Sequence, residues 1–330
     1  MKPIDIHAHY YPEAYLRLVE QEGPRFGMRI DRSDPKGLIL RWGDGARIGP
    51  LRSSFTDLAA RRREMDRLGV QVHALSLTLP MVDWADGELG LRLARANNDA
   101  IAEAHAGAPD RFVGLAALPL QDPPRALQEL ERVARLPAFR GVYLGTNIAG
   151  RDLAQEAFIP VYERIQELRW PLFLHPYNTL GGSRLAPFYL HNLLGNPFDT
   201  ATAAAHLVFG GVLDRLPRLS ICLPHGGGAW PFLAGRLARG WKKVAACRVV
   251  KRSPLAYLRR FTYDTITHHD PTLRFLIQLV GARHVMLGSD YCFDLGYDRP
   301  VEVVTRLKGL TKTDRAQILA GNARRLLRLA

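Results

Sequence analysis

The chain has 330 residues, 47% hydrophobic and 23% charged, the balance of a globular protein with a large core and not of a disordered one. Its net charge of +13 raises nucleic acid as a partner. The basic residues, however, are spread over predicted helix faces such as 61–63, 236–243 and 324–325, with no interleaved aromatics and no recognition helix, so they read as solvated surface charge.

The first predicted strand, Ile4-Asp5-Ile6-His7-Ala8-His9, follows Met1-Lys2-Pro3 directly and ends in two histidines that share one side of an extended chain. That start shows no signal-peptide pattern, and no run of eighteen apolar residues follows; both point to a soluble, cytoplasmic protein without a membrane span. Residues 10–54 read as an irregular insertion over the mouth of the fold, with one small hairpin turning at Gly43-Asp44-Gly45. From Phe55 onward strand and helix patterns alternate: helix to residue 68, strand 72–77, helix 88–106, strand 112–118, helix 124–134, strand 141–144, helix 153–168, and a strand ending at His175. A second long loop, 176–197, is rich in glycine and aromatics and leads into a helix over 200–213. A strand at 219–223, a helix from Ala229, a strand at 261–263, a helix from Pro271 and a strand at 284–287 complete the pattern. Eight strands separated by helices predict an α/β protein, a (β/α)8 TIM barrel forming one domain over 1–330. No GxGxxG follows the first strand, which removes the main support for a dinucleotide-binding sheet.

Four apolar runs end in a potential metal ligand, and a parallel barrel gathers the C-terminal ends of its strands on one face. His7, His9, His175 and Asp290 are therefore the candidate ligands, three imidazoles and a carboxylate that leave a position for water or substrate. His225 opens His225-Gly226-Gly227-Gly228-Ala229-Trp230-Pro231-Phe232. Glycines at a strand-to-helix junction suit a phosphate cradle or a tight turn, and without the Lys-Ser/Thr of a P-loop the turn reads as the mount of a general acid/base. Tyr177, Trp230, Tyr291 and Phe293 are the expected apolar wall for a planar substrate. His268 and His269 stand at the rim after the seventh strand, and the remaining histidines read as ordinary core or surface residues. Cys222, Cys247 and Cys292 have no paired spacing and are expected to be reduced, Cys222 in the core.

His-Ala-His in the first strand, His175-Pro176-Tyr177, the His225-Gly-Gly-Gly segment with Gly235-Arg236, and Gly288-Ser289-Asp290-Tyr291 together resemble the amidohydrolase superfamily, in particular its aminocarboxymuconate semialdehyde decarboxylase branch. The resemblance runs from Ile4 to Gly321-Asn322-Ala323-Arg324. It implies a distorted barrel with one divalent ion, zinc ahead of manganese, and the same division between four ligands and a separate catalytic histidine. Binuclear relatives carry a carboxylated lysine on the fourth strand; none of the lysines here falls near 141–146, so a mononuclear centre is expected.

The resemblance also implies two arginines that bind a small-molecule carboxylate substrate. One, Arg236, reaches across the interface of a homodimer or larger homo-oligomer; the other lies in the early insertion, Arg47 in preference to Arg52. The implied reaction is non-oxidative decarboxylation of an unsaturated or aromatic acid, with His225 and Asp290 as the catalytic groups. The alternative is a metal-dependent hydrolase or hydratase built from the same residues.

Overall fold

The computed structural model describes residues 2–42, 46–177 and 179–329. Eight parallel strands form one sheet in sequence order: β1 Ile4–His9, β2 Val72–Ser76, β3 Phe112–Ala117, β4 Phe139–Gly145, β5 Pro171–His175, β6 Ser220–Leu223, β7 Phe261–Asp264 and β8 Val285–Met286. The Ile6 N–H donates to the Leu287 carbonyl at 3.0 Å and Ala8 bridges to Tyr291, so the chain after β8 returns to β1 and the (β/α)8 barrel closes. The strands are apolar along their length because both faces are covered. Val113, Leu115, Tyr143, Phe173, Cys222 and Met286 meet inside the barrel, while the alternate set, including Val142, Leu172, Ile221 and Val285, packs outward on the helices.

The insertion after β1 is more ordered than its sequence suggests. Residues Glu13–Glu22 form a helix that buries Tyr15, Leu16 and Val19, and Arg29–Asp31, Leu38–Trp42 and Ala46–Leu51 form a three-stranded antiparallel sheet. The helix carries Tyr15, Leu16 and Val19 on one face, a period lost when 10–54 is read as one stretch, because the Gly, Pro and Arg after residue 22 dominate it. The turn expected at 43–45 lies outside the described residues. Tyr11, Leu16, Leu40, Leu51 and Phe55 share a core with Leu77, Ala117, Tyr291 and Cys292, which seats the insertion on the C-terminal ends of the strands.

The loop after β5 runs through short helical turns at Gly182–Leu185, Pro187–Tyr189 and His191–Gly195 before the helix Asn196–Phe209. Among the described residues no helix is long and apolar enough to cross a membrane.

Candidate metal centre

Side chains from four strand ends meet at the mouth. Donor atoms of His7, His175, His225 and Asp290 all lie within 4.8 Å of one another. His9 joins them, its Nε2 3.1 Å from both Asp290 Oδ1 and His7 Nε2. The register of β1 against β2 shifts between Asp5 and Ala8, in the stretch that carries His7, and such an irregularity re-aims side chains at a strand end.

The outer nitrogens decide which way the inner lone pairs face. His7 Nδ1 donates to Asp264 Oδ2 at 2.8 Å and His175 Nδ1 to the Pro176 carbonyl at 3.1 Å, so both Nε2 lone pairs point inward; His9 Nδ1 lies 3.2 Å from Ser76 Oγ. His9 Nε2 lies 3.1 Å from His7 Nε2, and if it too turns a lone pair inward the two repel unless a cation sits between them. Nitrogens about 2.0–2.1 Å from a tetrahedral zinc stand about 3.3 Å apart, so the spacing fits a shared ion. Imidazoles with one carboxylate suit a divalent zinc or manganese, and no strand-four lysine is present to bridge a second.

Burial lowers His9 to about 4, against the pull of the Asp290 carboxylate beside it, and lowers His175 well below the usual imidazole range, with His9 and His7 adding to the effect. Both are therefore neutral, the form that ligates. Burial works against a charge on Asp290, but the imidazoles of His225, His9 and His7 beside it outweigh that and hold the carboxyl well below its ordinary range.

Asp264 organises the other half of the site. Its Oδ2 accepts from His7 Nδ1 and from the His225 N–H at 2.9 Å, and its Oδ1 accepts from the N–H groups of Gly226 at 2.7 Å and Ile266 at 3.0 Å. His225 itself takes a left-handed backbone, φ 53°, as do Gly226, Gly227 and Gly228. A Cβ on Gly226 would lie 2.7 Å from Thr267 Cγ2, and one on Gly228 only 2.2 Å from the Pro197 carbonyl oxygen, so the glycines are required by close approach as well as by φ. The turn's N–H groups are all spent: Gly227 donates to Pro224, Gly228 to His225 and Ala229 to Pro197. None is left to cradle a phosphate, and the tight-turn reading stands on that accounting.

A family model described as amidohydrolase matches residues 4–329. The chain belongs to this amidohydrolase family. It is 33% identical over 99% of its length to 2-amino-3-carboxymuconate-6-semialdehyde decarboxylase of Dictyostelium discoideum, covering 91% of that protein. Among solved structures it superposes on 5-carboxyvanillate decarboxylase from Sphingomonas paucimobilis with a TM-score of 0.83, 28% identity and coverage of 100% of this chain and 99% of that one. The dihydroxybenzoic acid decarboxylase of Polaromonas sp. JS666, solved with manganese and 2-nitroresorcinol, gives a TM-score of 0.81 at 28% identity, covering 99% and 97%. These place the chain in the aminocarboxymuconate semialdehyde decarboxylase-like branch of the amidohydrolases.

The remaining site expectations divide. Phe293 stands over the histidines, its ring 5.3 Å from His9 and 5.1 Å from Phe55. Tyr177 is buried beside the end of β4, its N–H held by Thr146 Oγ1 at 3.2 Å. Trp230 is not a pocket residue: wholly buried, it packs edge-to-face on Phe261 at 5.8 Å. Phe261 opens β7 at the end away from the mouth, so the indole fills the layer between barrel and helices. Tyr291 lies beneath the site against His73 and Arg61.

Arg47 pairs in register with Arg41, itself paired with Arg29, on the exposed face of the small sheet, opposite the face that packs on the barrel through Leu40. Arg52 instead reaches Asp294, four residues past Asp290. Arg61, expected on a solvated face, is wholly buried.

Asp264, Ser76 and Asp5 were not singled out by sequence reasoning. Asp264 carried a usable signal, since it ends an apolar strand in a carboxylate just as Asp290 follows β8; Asp5 and Ser76 look like ordinary strand residues until the barrel closes.

Proposed function

We propose that the protein releases carbon dioxide from an aromatic or unsaturated carboxylic acid, with His7, His9, His175 and Asp290 holding one divalent ion and His225 moving the proton. The chain is a non-oxidative carboxy-lyase by class, as its full-length relatives and structural neighbours are decarboxylases. Convergence of the His7, His9 and His175 imidazoles on one carboxylate is the observation that supports the metal assignment.

A divalent ion in this cage supplies Lewis acidity toward substrate oxygens. The protein's own residues do the rest. Loss of carbon dioxide leaves an electron pair on the substrate carbon, and that carbon must take a proton. His225 Nε2 lies 3.8 Å from Asp290 Oδ2, which places the imidazole at the mouth where that proton must be delivered, and Asp264 keeps the histidine on its turn. Phe293, over the histidines, gives a planar substrate an apolar face and excludes water. Zinc suits the imidazole-rich set, and manganese is the ion in the Polaromonas relative.

For the substrate carboxylate, Arg52 is better placed than Arg47, because it already binds a carboxylate in the loop that follows Asp290. Arg236 is exposed on the helix Trp230–Lys243, one turn from Phe232, which is 80% exposed. The N-terminus of that helix is tied to Pro197 through the Ala229 N–H, beside a segment that exposes Phe188, Leu193, Leu194 and Phe198. So much apolar surface on one protomer supports a homodimer in which Arg236 serves the neighbouring site.

The metal-loaded protein is expected to release carbon dioxide, without consuming oxygen, from at least one of 2,6-dihydroxybenzoate, 5-carboxyvanillate and 2-amino-3-carboxymuconate semialdehyde. A hydrated or hydrolysed product with no carbon dioxide would instead establish the hydrolase alternative. For the shared site, His225→Ala and Arg236→Ala are each expected to be inactive alone and to regain part of the activity when their subunits exchange, since one site of a mixed dimer then has both residues. Verified heterodimers that stay inactive would leave Arg236 to its own chain.

A further inference from the structure

Arg61 is a buried cation in a place where none was expected. It sits in the first turn of the helix Leu58–Leu68, whose N-terminus is capped by Asp57 Oδ1 accepting from the N–H groups of Ala59 at 2.8 Å and Ala60 at 2.9 Å. Its side chain is 0% exposed. Nη2 donates to the carbonyl oxygens of His9 and, at 3.0 Å, of Ser54, and lies 3.6 Å from Cys292 Sγ. The guanidinium stands 4.7 Å from the Tyr291 ring centre. Nη1 donates to His73 Nδ1 at 3.4 Å, which puts the imidazole proton on Nε2, facing Asp5 Oδ2 at 3.7 Å.

Among the described residues no carboxylate forms an ion pair with Arg61, so its charge is balanced by carbonyl dipoles, two aromatic faces and, through His73, the distant Asp5. Taking a guanidinium out of water on these terms is costly, and hydrophobic residues of similar volume often pack such a space as stably. Its contacts therefore point to what it positions. Besides Ser54, His73 and the Tyr10 ring, they fall on His9 itself and on the two residues that follow Asp290. Asp5 does the same from the other side, accepting from the His7 N–H at 3.0 Å and the Ser289 N–H at 3.1 Å and from Ser289 Oγ.

We infer that Arg61, acting through the His9 carbonyl and the Tyr291-Cys292 segment, is a positioning residue that locks the two metal-bearing chain ends together from beneath the site. Arg61 touches neither ion nor substrate; it sets the distance between the His9 imidazole and the Asp290 carboxylate. The inference rests on the metal-centre reading above.

Its test is the affinity of metal-free protein for Zn2+ or Mn2+ alone, read by competition with a chelator, beside the unfolding midpoint of the same metal-free protein. Arg61→Met is expected to weaken binding roughly 10–100-fold, the usual effect of losing a group that orients ligands. Arg61→Lys keeps the charge and a donor for the His9 carbonyl and is expected to recover part of that loss. If Arg61→Met does not fold, Arg61→Lys and His73→Gln carry the test, each expected to weaken binding several-fold by analogy with other outer-shell changes. Unchanged affinity in the folded variants, with only the unfolding midpoint lowered, would make Arg61 a plain packing residue and overturn the inference. A wild-type protein that binds neither ion would overturn the metal-centre reading first, a result distinguishable from the other.

Discussion

His225→Ala is expected to lower turnover by about 10²–10⁴-fold, the usual contribution of a general acid or base, while the variant keeps its fold and its metal. The geometry makes this the sharper of two readings. His225 lies within the same 4.8 Å group as His7, His175 and Asp290, close enough for its Nε2 to be a fifth ligand. Its mounting differs from theirs, however. His7 and His175 have outer nitrogens fixed by Asp264 and Pro176, whereas His225 Nδ1 is buried with no hydrogen-bond partner among the described residues. A ring whose tautomer is not pinned can take a proton at one nitrogen and release it again, which suits transfer better than permanent ligation. Steady-state kinetics with a metal determination on the same sample checks the assignment. Metal lost in step with activity would make His225 a ligand.

Removing a true ligand is expected to do more. His175→Ala or Asp290→Ala should leave the protein with little bound ion and turnover at background, against about one tightly held divalent ion per chain in the wild type. His175 offers a neutral Nε2 whose orientation the Pro176 carbonyl fixes, and Asp290 is the carboxylate on which the imidazoles converge. A vacancy at either leaves too few inward donors for tight binding. Elemental analysis after dialysis, with the unfolding midpoint as a control, reads the result. Two ions per wild-type chain would end the mononuclear assignment, and a variant that kept its ion would remove that residue from the ligand set.

The sequence by itself determined the barrel and the meeting of the four candidate ligands. Both are legible because they depend on local pattern: eight apolar runs of strand length alternate with helices, and a parallel barrel then carries His7, His9, His175 and Asp290 to one end whatever their separation along the chain. The tight turn after His225 was readable for the same reason, since consecutive glycines announce a backbone that side chains would block.

What the tertiary structure alone decided were properties set by partners distant in sequence. Asp264 orients His7 across 257 residues, and Asp5 holds Ser289 across 284. Trp230, an aromatic at the mouth of a site by sequence position, turns inward because the first turn of its helix faces Phe261. Arg47 and Arg52 are equivalent as charges in a string and differ only once the small sheet sends one to its exposed face and the other to Asp294. Arg61, one of three consecutive arginines, is drawn beneath the candidate metal ligands while its neighbours Arg62 and Arg63 stay exposed. A helix shows its period in sequence, but which face meets the barrel, and which charge is thereby buried, is settled only by packing.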